Sequence, residues 1–355
     1  MSRLFEPITL RGVTVRNRIW VSPMCQYSSI DGHPTDWHLV HLGGLARGGA
    51  GLVIAEATAV TPDGRISPSD AGIWNDRQAA DYQRINAFVR SQGAVPGIQL
   101  AHAGRKASTQ VPWKGSGSVG YDDGGWPTVA PSPIAFGRYA VPKELTVADI
   151  GDIVTAWRAA AERALAAGYE VVEIHAAHGY LLHEFLSPLS NHRVDQYGGD
   201  LAGRGRLLFE VTDAVRAVWP DGKPLLVRVS ASDWVDGGLT VDEVSEVAAK
   251  LKHHGVDFID VSSGGNSPDQ KIALGPGYQV PFARQVRAAS GLPVGTVGLI
   301  TEPTQAEKII AGGDADAVLL ARVLLREPSW PQRAASELGA DAYWAPQYLR
   351  GQAGA

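Results

Sequence analysis

Eight short apolar runs, each followed by a helix-forming stretch, constrain this chain more than any single motif does. Strand-like segments fall near Arg18–Met24, Gly51–Val60, Val95–His102, Tyr169–His175, Pro224–Ser230, Phe258–Ser262, Pro293–Val297 and Ala317–Ala321. Helical periodicity covers Trp37–Arg47, Asp76–Ser91, Val147–Ala167, Gly203–Val218, Val241–His254, Gln279–Ala289, Pro303–Ala311 and Pro328–Leu338. Start signals such as Thr240 and Thr301-Glu302-Pro303 precede helices, and Gly93, Gly168, Gly255, Gly291 and Gly312 close them. Eight such units in succession predict an α/β fold, the closed (β/α)8 TIM barrel. An open doubly wound sheet is the competing arrangement. The barrel is preferred because no Gly-x-Gly-x-x-Gly turn follows the first strand.

The rhythm breaks once, after the third strand. Residues Arg105 to Lys143 are rich in Gly, Pro, Ser and Trp, yet include Trp113, Tyr121, Trp126, Phe136 and Tyr139. A loop of that length is functional or disordered, and its aromatic content argues for order. It reads as a cap over the barrel mouth. No linker divides the chain, so residues 1–355 read as one domain with 340–355 as a tail. Composition then narrows the partners. The net charge is −5, with acidic and basic residues interspersed, which weighs against nucleic acid. Cys25 is the only cysteine, so no intrachain disulfide, iron–sulfur cluster or zinc ribbon forms. No segment approaches the ~20 apolar residues of a membrane span, and Met1-Ser-Arg-Leu-Phe-Glu-Pro7 lacks the apolar core of a signal peptide. A soluble cytoplasmic protein is the expectation.

In such a barrel, side chains at the C-terminal strand ends gather around one mouth. Those ends read Ser22-Pro23-Met24-Cys25-Gln26-Tyr27, Glu56-Ala57-Thr58, Gln99 to Arg105, His175 to Tyr180, Arg228 to Asp233, Ser262 to Gly265, Gly295 to Gly298, and Ala321-Arg322. His175, His178 and Tyr180 crowd one strand terminus. Two N–H donors and a weak acid there suit polarising a carbonyl and protonating the carbon beside it. Satisfied core side chains, or a His pair on a metal, are the blander alternatives. Arg228 and Arg322 leave apolar strands, where a charge is costly without a partner; a bound anion would supply one. Gly298 and Ala321-Arg322 sit where many barrels hold a phosphate, although Arg322 could equally pair with Glu302 or Asp316.

Four stretches carry a resemblance: Ser22 to Tyr27, Gln99 to Lys106, His175 to Arg193, and Val227 to Asp233. Together they resemble the old yellow enzyme family, in its branch with a cysteine beneath the flavin, over about Leu4 to Arg350. The resemblance implies tightly but non-covalently bound FMN at the mouth, reduced by NADPH or NADH, and reduction of activated alkenes. It places Ser22, Pro23, Met24 and Cys25 under the ring, and Ala57 and Gln99 at its pyrimidine side. Arg228 falls beside N1 and O2, while Gly298, Ala321 and Arg322 hold the phosphate. His175 and His178 match the pair that grips the substrate oxygen, Tyr180 the proton donor, and Tyr27 a second phenol facing substrate. Cys25 matches a tuner of flavin potential rather than a nucleophile or redox sensor. The family's usual Gly-Arg is here Ala321-Arg322, harmless if φ at Ala321 is negative. Arg350 resembles a tail residue that enters a neighbouring subunit's site, implying a homodimer or homotetramer with 340–355 at the interface. Three other classes compete: a metal-dependent hydrolase, a flavin barrel acting on RNA, and a non-catalytic flavin carrier. The first lacks the His-x-His at the end of strand one, and the second lacks a basic patch. No metal is expected.

Overall fold

The computed structural model describes residues 2–352. An antiparallel hairpin, β1 (Ile8–Leu10) and β2 (Val13–Val15), precedes the repeating part. Then follow β3 (Ile19–Val21), α1 (Asp36–Arg47), β4 (Leu52–Ala59), α2 (Asp76–Ser91) and β5 (Val95–Ala101). The long insertion comes next, with only a two-residue parallel pair, β6 (Val129–Ala130) and β7 (Lys143–Glu144), and 3-10 turns. The rhythm resumes with α3 (Val147–Ala166), β8 (Val171–Ala176), α4 (Leu181–Leu186), α5 (Leu201–Arg216), β9 (Leu225–Ser230), α6 (Val241–His253) and β10 (Phe258–Ser262). It ends with α7 (Val280–Ser290), β11 (Val294–Thr296), α8 (Pro303–Ala311), β12 (Ala317–Leu320), α9 (Arg322–Arg326) and α10 (Trp330–Leu338).

Among the described residues, eight strands close one parallel barrel in the order β10-β11-β12-β3-β4-β5-β8-β9. This is the (β/α)8 arrangement, and the open sheet is ruled out. Two apolar layers hold it. Inside the barrel, Trp20, Leu52, Ile54, Val171, Leu226, Phe258 and Leu319 pack together, with Trp20 and Phe258 ring centroids 4.6 Å apart. Leu10 and Val15 of the hairpin join this cluster and plug the end where the strands begin. A larger shell between strands and helices includes Trp157, Phe185, Val211 and Leu251. Thr240 caps α6 as its start signal predicted, whereas α8 is capped at Glu302 rather than Thr301 and α5 starts at Leu201. Asn75 and Gln78 exchange bonds at the head of α2 (3.0 and 3.2 Å), and Thr240 and Glu243 do so on α6.

The hairpin, α4 and α9 were not anticipated, being too short to show periodicity. The predicted stop at Gly312 is made by a pair of glycines. Gly312 has φ −72 and caps α8 in a right-handed conformation, and Gly313 beside it takes the left-handed turn at φ 74.

Candidate active site

Strand register assembles the mouth. Ala57 lies opposite Gln99 and Gln99 opposite Glu173; farther round, His175 lies opposite Arg228 and Arg228 opposite Asp260. Ser22 continues β3 by donating its N–H to Leu320 O at 2.9 Å. Every sequence-selected residue from Ser22 to Arg322 therefore belongs to one rim, except that Arg350 lies elsewhere.

His175 is buried and His178 half-buried. Their rings meet edge to face, and His175 Nε2 approaches His178 Nδ1 at 3.4 Å, so two ring nitrogens converge on one point. The His175 tautomer is set locally: Nδ1 accepts the Ala177 N–H at 3.3 Å, leaving the proton on Nε2. The far nitrogen of His178 meets Ser262 Oγ at 2.8 Å, and a hydroxyl can donate there and leave Nδ1–H for the mouth. Burial, then Arg228, pushes both imidazoles well below their ordinary value, so both are neutral at neutral pH. Tyr180 packs its ring 5.0 Å from that of His175, and burial holds its phenol protonated.

The His178–Gly179 turn is an unusual piece of backbone. His178 has φ 60 and Gly179 φ 72, and they press against a second left-handed turn at Gly264-Gly265. A Cβ on Gly265 would stand 2.5 Å from His178 Cα, and one on Gly179 would collide with Gly265 O. Only glycines allow this approach. Lys106 ties the two turns, donating to His178 O (2.8 Å) and Gly265 O (2.9 Å). The Gly179 N–H is held by His183 Nδ1 at 2.9 Å, and His183 Nε2 lies 3.0 Å from Asp233. Lys106, His183 and Asp233 were visible in the quoted motifs, but nothing in their spacing gave them this task.

Below the imidazoles lies a buried polar set. Gln99 donates to Glu173 at 2.8 Å. Arg228 does not wait for an outside anion, as the sequence suggested: its Nε lies 2.9 Å from Asp260 Oδ2. That approach lacks hydrogen-bond alignment, and the Nε, both Asp260 oxygens and Glu173 Oε2 have no hydrogen-bond partner. Burial raises the Glu173 and Asp260 carboxyls, with Asp260 adding to the rise at Glu173. Buried polar atoms left unpaired are expensive, and these lie together below the mouth.

The opposite side of the rim is a cleft of about 190 Å³ lined by Gln279, Gly298, Ala321, Arg322 and Arg326. Gly298 has φ 121, and a Cβ there would come within 2.8 Å of the Tyr278 ring. Ala321 has φ −119, so its extra methyl is accommodated. Arg322 makes no ion pair among the described residues. Asp316 is engaged by Arg287 at 2.9 Å, and Glu302, at the N-cap position of α8, makes no side-chain cap bond and no ion pair among those residues, so neither suggested carboxylate is its partner. A free guanidinium, a second arginine and a glycine floor suit a phosphate ester. Arg326 and Gln279 were missed by the sequence reading.

Pro23, Met24, Cys25 and Tyr27 are half-buried on the loop after β3. Cys25 is held as a thiol, its value raised well above the ordinary range by burial and then by Asp70 and Glu56; a reactive thiolate needs the reverse. Tyr27 has φ 50 and meets Trp113 of the insertion edge-on at 5.7 Å, so the insertion does reach the mouth. Arg350 is exposed on the turn Pro346–Gly351, far from these residues in the fold: Arg47, at the end of α1, covers the neighbouring Tyr348 at 4.5 Å. Among the described residues, no group of three His, Cys, Asp or Glu side chains is placed to hold a metal ion, and no helix is long and apolar enough to cross a membrane.

A closed (β/α)8 barrel with an arginine-lined cleft and paired neutral imidazoles at its mouth has the build of a cofactor-dependent barrel enzyme. The comparisons give the family. Residues 3–341 match the NADH:flavin oxidoreductase / NADH oxidase family, and the chain belongs to it, with FMN as cofactor and NAD(P)H as electron donor. An NADPH dehydrogenase of Geobacillus sp. (strain WCH70) is 50% identical over 351 residues, 98% of each chain. An NADPH dehydrogenase of Bacillus subtilis (strain 168) is 45% identical over 352 residues, covering 98% of this chain and 99% of that one. Among solved structures, the old yellow enzyme homologue from Zymomonas mobilis superposes with a TM-score of 0.79 at 27% identity, covering 98% and 99% of the two chains. Morphinone reductase gives 0.80 at 26%, covering 98% and 92%.

Proposed function

We propose that this protein is an NADPH dehydrogenase of the ene-reductase type, reducing the activated C=C bond of α,β-unsaturated carbonyl or nitro compounds. The observation that carries the reading is the convergence of His175 Nε2 and His178 Nδ1 beside the Tyr180 phenol. FMN, when bound, would supply the two-electron chemistry linking NADPH or NADH to the alkene in a ping-pong cycle. Ser22, Pro23, Met24 and Cys25 would lie beneath it, Ala57, Gln99 and Arg228 would meet the ring's polar edge, and Gly298, Ala321 and Arg322 would hold its phosphate.

The chain's own part is to grip, polarise and protonate. His175 and His178 donate hydrogen bonds to the substrate oxygen, where negative charge grows as the β-carbon accepts hydride. Because both rings are neutral, they stabilise that charge without first giving up a proton. Tyr180 Oη then transfers its proton to the α-carbon, which in the enolate is far more basic than a phenolate. Tyr27 would face the substrate from the other side and, with Trp113, border the entrance. Assembly into a homodimer or homotetramer, with Arg350 entering the neighbouring site, belongs to this reading, as does a cytoplasmic location.

The test is Tyr180→Phe. Stopped-flow reduction of the enzyme by NADPH should stay near normal. Reoxidation by cyclohexenone should slow on the order of 10²-fold, the lower range for loss of a general acid. The opposite pattern would remove Tyr180 from the donor role.

A further inference from the structure

The loop after β4 buries a carboxyl that the scheme above leaves unused. Asp70 is 1% exposed. Its oxygens accept from Ser67 Oγ (2.5 Å), Ser67 N (3.1 Å) and Ile66 N (3.2 Å). It also lines a small cavity, of about 10 Å³, whose other polar lining residues are Tyr180 and Arg65. The rest of the lining is apolar: Ala57, Ala59, Gly64, Ile66, Ala101 and Ala103. A space of that size holds about one water, and Asp70 and Tyr180 are there to bind it, with Arg65 as a third polar neighbour. The phenol therefore stands between the imidazoles on one side and a water-sized pocket ending in a carboxyl on the other.

We infer that Asp70 is a second acid in line behind Tyr180, joined to it by one water held in this cavity. The inference rests on the donor role proposed for Tyr180. As the Tyr180 O–H bond breaks and the proton bonds to the substrate α-carbon, the water passes a proton to the phenolate oxygen. The Asp70 carboxylic acid passes its own to the water. The substrate gains one proton, the phenol and the water end as they began, and Asp70 is left as a carboxylate. Solvent restores its proton after each turnover, and no electron moves in this relay.

The surroundings suit the task. Burial raises the Asp70 carboxyl to about 7, with Glu56 adding to the rise and the Ser67 and Ile66 bonds opposing it. Cys25, Tyr27 and Tyr180 also face its charge, and the half-buried Arg65 is the one cation that does so. An acid is most useful when its value lies near the working pH. Once Asp70 ionises, the water must turn a hydrogen toward the carboxylate, and Tyr180 loses the donor that would stabilise its phenolate.

The measurement is single-turnover reoxidation of the reduced holoenzyme by cyclohexenone across a pH series. The wild type should slow about tenfold as pH rises through about 7. Asp70→Asn cannot pass a proton on, so its rate should be low and independent of pH. Ala101→Val fills the cavity without touching the carboxyl and should give the same flat, slow profile. In mixtures of light and heavy water, the wild-type rate should curve with isotope fraction and that of Ala101→Val should be linear. Without cofactor, the infrared difference between wild type and Asp70→Asn should show one protonated-carboxyl band that titrates near neutrality, over the contributions of Glu173 and Asp260 common to both. A carboxyl that merely locks the loop predicts a slower Asp70→Asn enzyme that keeps the wild-type pH step; that result, or a flat wild-type profile, overturns the relay. If Tyr180→Phe reoxidises as fast as wild type, the donor assignment itself fails. If Tyr180→Phe is slow while Asp70→Asn follows the wild type, only the relay fails.

Discussion

Gly179→Ala tests the central geometric claim, that backbone shape delivers His178 to the substrate oxygen. Gly179 has φ 72, and an added Cβ would press on Gly265 O and stand 2.7 Å from Asn266 Cα. Both obstacles are backbone and cannot swing aside as a side chain would. A left-handed L-residue costs roughly 1–2 kcal/mol before any clash, and relieving the contact requires the turn to shift by about 1 Å. Because Lys106 ties His178 O to Gly265 O, the imidazole moves with the turn. A misplacement of about 1 Å at a reacting group costs on the order of 10²-fold in rate. The variant should therefore bind FMN normally, since Gly179 does not line the phosphate cleft. Its reduction by NADPH should change little. It should lose about 10²-fold in enone reduction and bind phenols, read by their charge-transfer absorbance, far more weakly. Unaltered phenol titration with unaltered turnover would show that the left-handed turn is not what places His178.

Two further outcomes follow from the same coordinates. Arg322→Leu removes an unpaired guanidinium from the phosphate cleft; with a charged hydrogen bond worth about 1.5–3 kcal/mol, the FMN dissociation constant should rise roughly 10- to 100-fold, and a fluorescence titration giving wild-type affinity would refute the assignment. His175 and His178 are held neutral well below their ordinary values, so between those lowered values and about 6.5 the unfolded chain binds protons that the folded chain does not. Stability is then fully present above about pH 6.5 and lost as pH falls below it, and the melting temperature of a His175→Gln/His178→Gln double variant should fall less steeply with acid than that of the wild type; equal slopes would count against buried neutral imidazoles.

How much of this was legible beforehand depended on range. The barrel was legible because its period is local: Phe258–Ser262, Asp76–Ser91 and Pro303–Ala311 stand where their apolar spacing put them. The rim was legible once the barrel was, since parallel strands bring their C-terminal ends together. Pairings were not. Arg228 was treated as a charge awaiting an anion, although an acidic residue, Asp260, interrupts the next apolar strand in the same way. Two opposite charges on consecutive buried strands were a usable signal; only the register told that they face each other. Lys106 and Asp70 gave less warning. Each sits in a loop, where charge is ordinary, and only tertiary closure reveals that one clamps two backbone turns and the other shares a cavity with Tyr180.

The electrostatics of the mouth link the two halves of the site. Inside the barrel, two carboxyls and one guanidinium are buried together, and burial favours a proton on the carboxyls. The more those carboxyls are protonated, the less the Arg228 charge is cancelled and the more of it is felt by the imidazoles above. After burial, that residual positive field does most to keep His175 and His178 unprotonated. It also favours negative charge on whatever ring edge or oxygen comes to lie over it. A single buried cation thus does two things: it keeps the two donors neutral, and it stabilises the electron-rich state those donors serve. Removing its partner Asp260 would strengthen the field but strand the guanidinium without a counter-charge in an apolar barrel. The carboxyls below the rim are therefore what allows a barrel lined by Trp20, Leu226 and Phe258 to hold that cation at its mouth.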